Sequence, residues 1–571
     1  MPTIDVDYAE FEKLLGAGLH RDPEKIDGVL ALAKCEMKFL DENTGAMTIE
    51  VKDTNRADLW NIEGLIRTLR LLLGLDRGLK RYKTVKGIAD VYVDKRLANI
   101  RPYIGCSVIK NLKLTDPMIR AVMQLQDKLD HTYGRNRRRT SIGLYNFDLM
   151  TPPFSYTVAK PTEVSFVPLG FEKEMNLKEI LKHHPKGLEY GSIVSGNNVY
   201  PILLDSEKRV LSFPPIINSN DLGRVTEDTK NVLVEVTGTV HETVLNTLKI
   251  VTLSLIDRGG KAYSTLVHYP DDSLTVVTPS FETGKMELDV GYANQVLGLE
   301  LKVRGIVELL EKAGFGVARL ERDKITVEIP CYRIDIMHPI DLIEDVAIAY
   351  GYDNIRPFWR KLSTKGGAKP WQAFFDVARE LMVGLGFQEV LTLNMTNPED
   401  LFTKMNLKKQ RIVELANPKV QTLTCLRNWM LPSLLEFLSH NLHIEYPQKV
   451  FELGTVTVLD EKAETRTRDV HTLGAVISHA NASFTETKSA LEALVMNLGL
   501  QWQISETEHP SFIEGRVGTV IVNKIEVGLL GEIHPKVLET WTLENPVAAF
   551  EINMDRISRI KHQYRDKHNN L

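Results

Sequence analysis

The chain has 571 residues, more than one hydrophobic core serves, so roughly three to five domains of 100–200 residues are expected. Hydrophobic residues make up 43% and charged residues 25%, which argues against long disorder, and no stretch approaches the ~20 apolar residues of a membrane span. A formal net charge of −5 excludes a generally basic protein, so any nucleic-acid contact has to be local.

Two basic clusters qualify: Arg135, Arg137, Arg138 and Arg139, and a weaker run of Arg556, Arg559, Lys561, His562, Arg565 and Lys567. Taken alone, either reads as a solvated face. The opening residues from Met1 to Asp7 carry no basic region and no apolar run, so a signal peptide is not expected. Cys35, Cys106, Cys331 and Cys425 lie far apart without a CxxC pair. That argues against a zinc site or a disulfide framework and for a reducing cytoplasm.

In chain order, a short alternating segment Ile4 to Val6 precedes an amphipathic stretch around Phe11, Leu14 and Leu15. A turn-like cluster, Thr54 to Asp58, leads into a helix expected from about Asp58, with Leu59, Ile62, Leu65, Ile66 and Leu69 at helical spacing and Gly74 near its end. From Arg101 to about Pro270 strands dominate, with one helix started by Asp116-Pro117. Tyr200 to Leu204 and Arg209 to Phe213 read as strands joined by a turn. Val232, Val234 and Val236 share one face of a further strand; Leu233, Glu235 and Thr237 share the other.

From about Pro279 to Tyr352, a helix ending at Gly314, a strand Ile325 to Ile329 and a helix from about Asp341 to Tyr350 suggest a small winged-helix-like module. Residues 353–370, with Arg356, Pro357, Lys365, Gly366, Gly367 and Pro370, read as a linker. Beyond it, a helix carrying Phe374, Phe375, Ala378 and Met382 is closed by Gly386. Strand-like segments then follow at Val390–Leu393, Lys449–Leu453, Val470–Ile477, Val517–Val522 and Val547–Ile552. The class is α+β, multidomain.

The densest chemical signal is acidic. Asp341, Glu344 and Asp345 share a helix face, and Asp335 lies six residues before them at a strand end. Four converging carboxylates would need a hard cation, and Mg²⁺ suits oxygen ligands. An Asp-x-x-Glu capping box at Asp341 and Glu344 explains the same spacing, and from spacing alone it ranks ahead of a metal.

The run Ile329-Pro330-Cys331-Tyr332-Arg333-Ile334-Asp335-Ile336, continued by Asp341-Leu342-Ile343-Glu344-Asp345 and Tyr350-Gly351-Tyr352-Asp353-Asn354-Ile355, resembles the signature of the phenylalanyl-tRNA synthetase β chain. The resemblance covers nearly the whole chain. It implies an N-terminal module (1–90), an editing domain (91–275), a winged-helix-like module (276–352), a linker (353–370) and a class II catalytic-like domain without an active site (371–571). It also implies Mg²⁺ on Asp335, Asp341, Glu344 and Asp345 near a subunit boundary. The implied partners are a catalytic α subunit in an (αβ)₂ heterotetramer, with ATP bound by α, and tRNA(Phe). The implied activity is phenylalanine–tRNA ligation, in the cytoplasm.

Arg137-Arg138-Arg139 with Ile142-Gly143, and Leu211 to Asn218, resemble the editing domain, which hydrolyses tyrosine misattached to tRNA(Phe). The resemblance carries Leu203, Ser212, Glu235 and Thr237 onto editing-pocket positions, with Asn218 a further contact. It puts Arg137, Arg138 and Arg139, with His131, near the tRNA 3′ end. A carboxylate in an apolar cavity is a sound way to demand a phenol, because an analogue without the hydroxyl leaves it unpaired. An exposed strand face is the plain alternative for Glu235. Many relatives carry His-Asp after Ile142-Gly143-Leu144, where Tyr145-Asn146 stands here, so that histidine's role does not transfer. No Ser-His-Asp or Cys-His nucleophile is evident, which favours a positioned water.

In the C-terminal domain, Lys449-Val450-Phe451-Glu452-Leu453-Gly454 keeps the glutamate of class II motif 2 but not its arginine. Gly515-Arg516-Val517-Gly518 is too short for the glycine-rich ATP strand. Asn417-Pro418 and Leu426 to Leu438 are expected to serve packing and assembly with α. No anticodon-binding domain is recognisable after Asn553 and no extra oligonucleotide-binding domain near the start, so the archaeal/eukaryotic type is expected. A free-standing deacylase and a tRNA-binding scaffold without editing remain the alternatives.

Overall fold

The computed structural model describes residues 2–270, 274–359, 363–364 and 366–568, with side chains of the last helix as far as Lys561. Lys365 and the side chains of His562, Arg565 and Lys567 fall outside the described residues. The chain forms two compact units, Met1–Phe358 and Trp359–Leu571, divided inside the expected linker.

The first unit begins with β1 (Thr3–Asp7), helices Tyr8–Leu15 and Pro23–Leu32, β2 (Cys35–Leu40) and β3 (Ala46–Val51), in the antiparallel order β1-β3-β2. The next helix, Ile62–Leu72, starts later than Asp58. A 3₁₀ turn, Ala57–Leu59, intervenes because Asn61 is the N-cap, its side chain accepting from Gly64 N at 2.6 Å.

Ten strands build the central sheet: β4 (Val85–Val93), β5 (Tyr103–Lys110), β6 (Thr140–Asn146) and β7 (Phe154–Ala159), then, past the separate short pair β8 (Ser165–Phe166) and β9 (Met175–Asn176), β10 (Tyr200–Leu204), β11 (Val210–Phe213), β12 (Ile217–Asn218), β13 (Val232–Gly238), β14 (Lys261–His268) and β15 (Thr275–Thr278). The order is β12-β11-β10-β7-β4-β14-β5-β13-β6, with β15 on β14. The domain limits expected at 90/91 and 275/276 therefore fall inside β4 and β15, whose ladder partners place both strands wholly in this sheet. The sheet curls until its two ends meet, where Asn218 Nδ2 on β12 donates to Leu144 O on β6 at 3.2 Å.

β13 is buried on both faces. Its valines pack into the core shared with helices Asp116–His131 and His241–Asp257. The second helix was not expected. It is rich in β-branched residues and buried almost all round, from Thr243 and Val244 to Ile250, Val251 and Thr252, so it offers no clean amphipathic stripe. A third sheet, β16 (Gly284–Asp289), β17 (Gly316–Glu321) and β18 (Lys324–Ile329) in the order β16-β18-β17, packs with helices Val290–Leu297, Val303–Lys312 and Pro339–Tyr350 around Leu288, Ile306, Phe315 and Val346.

The second unit opens with helix Pro370–Gly384 and contains β19 (Gln388–Glu389), the short pair β20 (Met395–Thr396) and β21 (Cys425–Leu426), β22 (Gln448–Leu459), β23 (Thr467–Ser478), β24 (Trp502–Glu506), β25 (Phe512–Val522), β26 (Ile525–Ile533) and β27 (Val547–Asn553). The seven-stranded order β19-β22-β23-β27-β26-β25-β24 is antiparallel except at β19–β22. Val390–Leu393 is not a strand: β19 ends at Glu389, and Leu391 is 90% exposed.

Gly64 marks the tightest approach in the N-terminal module, since a Cβ there would lie 1.6 Å from Asp58 O. Gly64→Ala is expected to destabilise the protein by at least about 1–3 kcal/mol, read as a lower midpoint in urea.

Candidate functional site

Where the ends of the central sheet meet, a cavity of about 370 Å³ opens beside edge strand β6. Its wall is mostly apolar, with Ile119, Val122, Ile142 and Phe213 contributing, and its polar members include Ser141, Tyr145, Ser212, Asn218, Glu235 and Arg137.

The ladder sets who meets whom. Glu235 stands opposite Gly143 on β6 and Cys106 on β5, Thr237 stands opposite Ser141, and Leu233 stands opposite Tyr145. Alternation thus puts Ser141, Gly143 and Tyr145 on the face that carries Glu235. Tyr145 Oη lies 2.7 Å from Glu235 Oε2 and 2.8 Å from Ser212 Oγ, bridging β6, β13 and β11. Glu235 Oε1 is buried without a hydrogen-bond partner. Burial pushes the Glu235 carboxyl up to about 7, against the hydrogen bond from Tyr145, the positive charge of Arg101 and the nearby Thr237 hydroxyl, all of which favour ionisation.

Of the expected pocket residues, Ser212, Asn218 and Glu235 line the cavity. Leu203 and Thr237 do not. Leu203 packs in the core that also holds Tyr145, Cys106 and Tyr156. Thr237 is fully buried in a network around Arg101, whose Nε donates to Thr237 Oγ1 at 2.9 Å and whose Nη2 donates to Thr237 O at 2.6 Å and to Ser141 Oγ at 3.0 Å. Both residues therefore support Glu235 and its strand from outside the wall.

The arginine cluster also divides. Arg137 is turned inward: its Nε lies 2.9 Å from Asp130 Oδ2, its Nη1 donates to the carbonyls of Pro215 and Ile216, and its guanidinium covers the Tyr190 ring at 4.4 Å. It holds the turn that forms one cavity wall and is not free to meet a phosphate. Arg139 is half-buried. Arg138 and Arg135 are exposed and line a separate groove of about 740 Å³ with His131, Asn136, Tyr190 and Ser192. Sequence reasoning missed Arg101, Asp130 and Ser141 as site-building residues and passed over Tyr145. The two-residue period Ser141-Gly143-Tyr145 was the available signal.

The four acids expected to hold magnesium do not converge. Arg333 donates from Nε and Nη2 to Asp335 at 2.9 and 2.7 Å and from Nη1 and Nη2 to Asp345 at 3.1 and 2.6 Å. Burial opposes ionisation of Asp335, but the Arg333 guanidinium outweighs it and holds the carboxyl below its usual range. Asp341 Oδ2 accepts from Met337 N and His338 N, both at 2.8 Å, and Glu344 pairs with Lys34. The capping box is thus His338 with Asp341, three residues earlier than the expected Asp341 with Glu344. Among the described residues no three His, Cys, Asp or Glu side chains are placed to share a metal ion. As arranged, the set does not fit magnesium, because an ion would have to displace Arg333 from both of its aspartates.

In the second unit, Glu452 of the motif 2-like strand is 1% exposed and pairs with Arg427 Nη2 at 2.6 Å. Arg427 lies just ahead of helix Leu431–His440, so the strand's cationic partner comes from elsewhere in the chain and is internally consumed. Arg516 pairs with Glu532 at 2.6 Å. In the terminal basic run, Arg556 and Lys561 donate to the carbonyls of Glu526 and Leu498.

Comparison with known proteins agrees with this architecture. Residues 286–352 match the family described as tRNA synthetase B5 domain, and residues 358–554 match the phenylalanyl tRNA synthetase beta chain CLM domain. The phenylalanine–tRNA ligase beta subunit of Pyrococcus abyssi is 45% identical over 554 residues, 97% of this chain and 99% of the relative. That of Pyrococcus furiosus is 45% identical over 98% of this chain and 100% of the relative, and that of Archaeoglobus fulgidus 40% over 97% and 98%. The crystal structure of an N-terminal fragment of the phenylalanyl-tRNA synthetase beta subunit from Pyrococcus horikoshii superposes with a TM-score of 0.59 at 41% identity, covering 62% of this chain and all of the fragment. Fold and matches together define an aminoacyl-tRNA ligase chain of class α+β. It belongs to the phenylalanine–tRNA ligase beta subunit family.

Two predictions follow from these geometries. The raised carboxyl of Glu235 contributes stability that is full below its unfolded value of about 4.5 and is lost as pH rises through about 7. Glu235→Gln, which cannot ionise, is therefore expected to lose less stability than the native chain between pH 5 and pH 8, by up to about 3 kcal/mol in urea titrations at the two pH values. Arg333→Met strands two buried carboxylates and is expected to cost about 3–5 kcal/mol, while chelation of divalent metal leaves the melting midpoint of the native chain unchanged.

Proposed function

We propose that this chain is the proofreading and scaffolding partner in a phenylalanine–tRNA ligase. A catalytic α subunit binds ATP and phenylalanine in an (αβ)₂ assembly in the cytoplasm, and this chain hydrolyses Tyr-tRNA(Phe) in the cavity beside β6. The observation that carries the reading is Glu235 Oε1, a buried carboxylate oxygen with no donor, on a residue that lines a mostly apolar cavity. A tyrosyl side chain brings the missing hydrogen-bond donor, whereas a phenylalanyl side chain buries the carboxylate unpaired at a cost of roughly 1–3 kcal/mol or more.

Water is the better nucleophile. Burial pushes the Cys106 thiol well above its usual value, so it is not a thiolate at neutral pH. No histidine is among the cavity's lining residues to activate Ser212. Water would add to the ester carbonyl carbon, the bond to the ribose oxygen would break, and that oxygen would take the proton, releasing tyrosine and free tRNA. The groove with Arg135 and Arg138 supports binding of the RNA strand, since both cations stand exposed without a carboxylate partner among the described residues. The internally paired Glu452 and Arg427 support leaving amino-acid activation to α. One observation favours the scaffold reading without editing: Tyr145 already supplies a phenol to Glu235.

The test is co-expression with α and assay of misacylated tRNA. Glu235→Ala is expected to slow tyrosine release by roughly 100-fold or more while phenylalanine charging persists. Tyrosine release at the native rate in Glu235→Ala sinks the proofreading assignment; no release from a native complex that charges phenylalanine leaves the scaffold reading.

A further inference from the structure

This inference rests on the proofreading reading of the cavity and adds a residue to it. The geometry points to Tyr145 as the residue that sets specificity for a phenol: its hydroxyl engages one oxygen of Glu235, so that the other, Oε1, is the acceptor offered to the substrate.

The hydroxyl of Tyr145 carries one proton and lies within 2.8 Å of both Ser212 Oγ and Glu235 Oε2. With Glu235 ionised, that proton goes to the carboxylate, and the phenol oxygen accepts from Ser212. Three strands are thereby locked into one polar chain, and Glu235 keeps one oxygen without a donor. Tyr145 is fully buried in the core with Leu203, Cys106 and Tyr156, so its ring is held by packing and its hydroxyl has a fixed place. Gly143 makes room for the pair: a Cβ at that position would lie 2.2 Å from Tyr145 Oη and 2.6 Å from Glu235 Oε2. A glycine opposite Glu235, a tyrosine two residues on and a serine on the far end of the sheet are thus parts of one device. It converts a flexible carboxylate into a single, directed acceptor. Leu203 shares the core that holds the Tyr145 ring, and Thr237 accepts from Arg101 Nε at 2.9 Å.

The charged and titratable groups packed round Glu235 are Tyr145 on β6, Cys106 on β5, Tyr156 on β7, Arg101 ahead of β5, and Asp130 on helix Asp116–His131. Arg137 shares the cavity wall and is held by Asp130. Among them Tyr145 is the neighbour that donates a hydrogen bond to the carboxylate. Removing its hydroxyl withdraws the donor that favours the ionised form, so the Glu235 titration moves to higher pH.

The experiment is Tyr145→Phe in the full chain assembled with its α partner. It keeps the ring and its packing and removes one oxygen. Tyrosine release from Tyr-tRNA(Phe) is measured from pH 5.5 to 8.5. The Glu235 carboxyl is followed in parallel by its protonated C=O infrared band, located by its disappearance in Glu235→Gln. The expected result is a roughly 10- to 100-fold loss in kcat/KM for Tyr-tRNA(Phe), together with an upward shift in the midpoints of both the rate profile and the infrared band. A tyrosine with a merely structural role would lower the rate at every pH and leave both midpoints in place, which overturns the proposal, as does a native rate in Tyr145→Phe. A native complex that releases no tyrosine overturns the proofreading reading itself; an unmoved infrared midpoint then rejects the Tyr145–Glu235 pairing as well, and a shifted one retains it.

Discussion

The central sheet closes on a buried polar seam, and the arrangement of the site depends on it. Arg101, Asp130, Arg137 and Glu235 are all buried within a few residues of where β12 and β6 meet. Burying ionisable groups is costly unless each finds compensation. Here compensation is uneven. Arg101 spends its donors on Thr237, Ser141 and the Arg137 carbonyl, and Arg137 spends its donors on the Pro215 and Ile216 carbonyls and lies against Asp130. The shortfall falls on the acids: neither oxygen of Asp130 accepts a hydrogen bond, and Glu235 Oε1 has no donor. Burial also raises Asp130 to about 7, so two carboxyls near the seam titrate close to physiological pH. A shifted acid beside a cavity is the pattern expected where structure has been arranged for a ligand rather than for stability.

The same economy of buried charge recurs with a different outcome. Arg333 forks across Asp335 and Asp345, and Arg427 reaches Glu452 and the Thr455 carbonyl. In both cases an arginine neutralises the carboxylates completely and leaves no acceptor for a ligand. Glu551 is satisfied by two backbone donors at the start of helix Leu431–His440, although burial still raises it to about 7. These clusters tie loops to sheets and helices, as fits groups that serve the fold. Glu235 Oε1 shares its lack of a donor with Glu63 Oε2 and with both oxygens of Asp130, and of these three residues Glu235 is the one that lines the cavity.

Much of the fold was legible in the residues, and the exceptions have identifiable causes. Helix Val303–Lys312 and helix Pro370–Gly384 follow their apolar spacing, and Gly314 and Gly386 adopt the positive φ that ends such helices. Helix His241–Asp257 escaped because burial on all sides erases the stripe that marks a helix. Val390–Leu393 resembles a strand by composition, yet pairing with β22 stops after Val390 N donates to Phe451 O at 2.8 Å. β24 and β26 went unnoticed, and their pairing with β25 is long-range information that a local pattern does not carry. In the site, Glu235, Ser212 and Asn218 were found through resemblance, while Arg101 and Asp130 were not, since nothing local distinguishes a buried arginine or aspartate from an exposed one.

By itself the sequence determined the family, through a long ordered acidic signature, and the alternation that turns Glu235 away from its valine neighbours. It determined as well that no arginine stands beside Glu452 within Lys449–Gly454, because that is a matter of which residue stands on one strand. Only the tertiary structure decided which polar groups meet. It sent Arg137 inward to the Pro215 and Ile216 carbonyls, kept Leu203 and Thr237 behind the wall, and gave Asp335 and Asp345 to Arg333. Residues 145, 212 and 235 lie on three strands far apart in the chain, and they come within hydrogen-bond distance only when the sheet curls back on itself. Charge and hydrogen bonding act over a few ångströms, so partnership is settled by closure of the sheet and not by spacing along the chain.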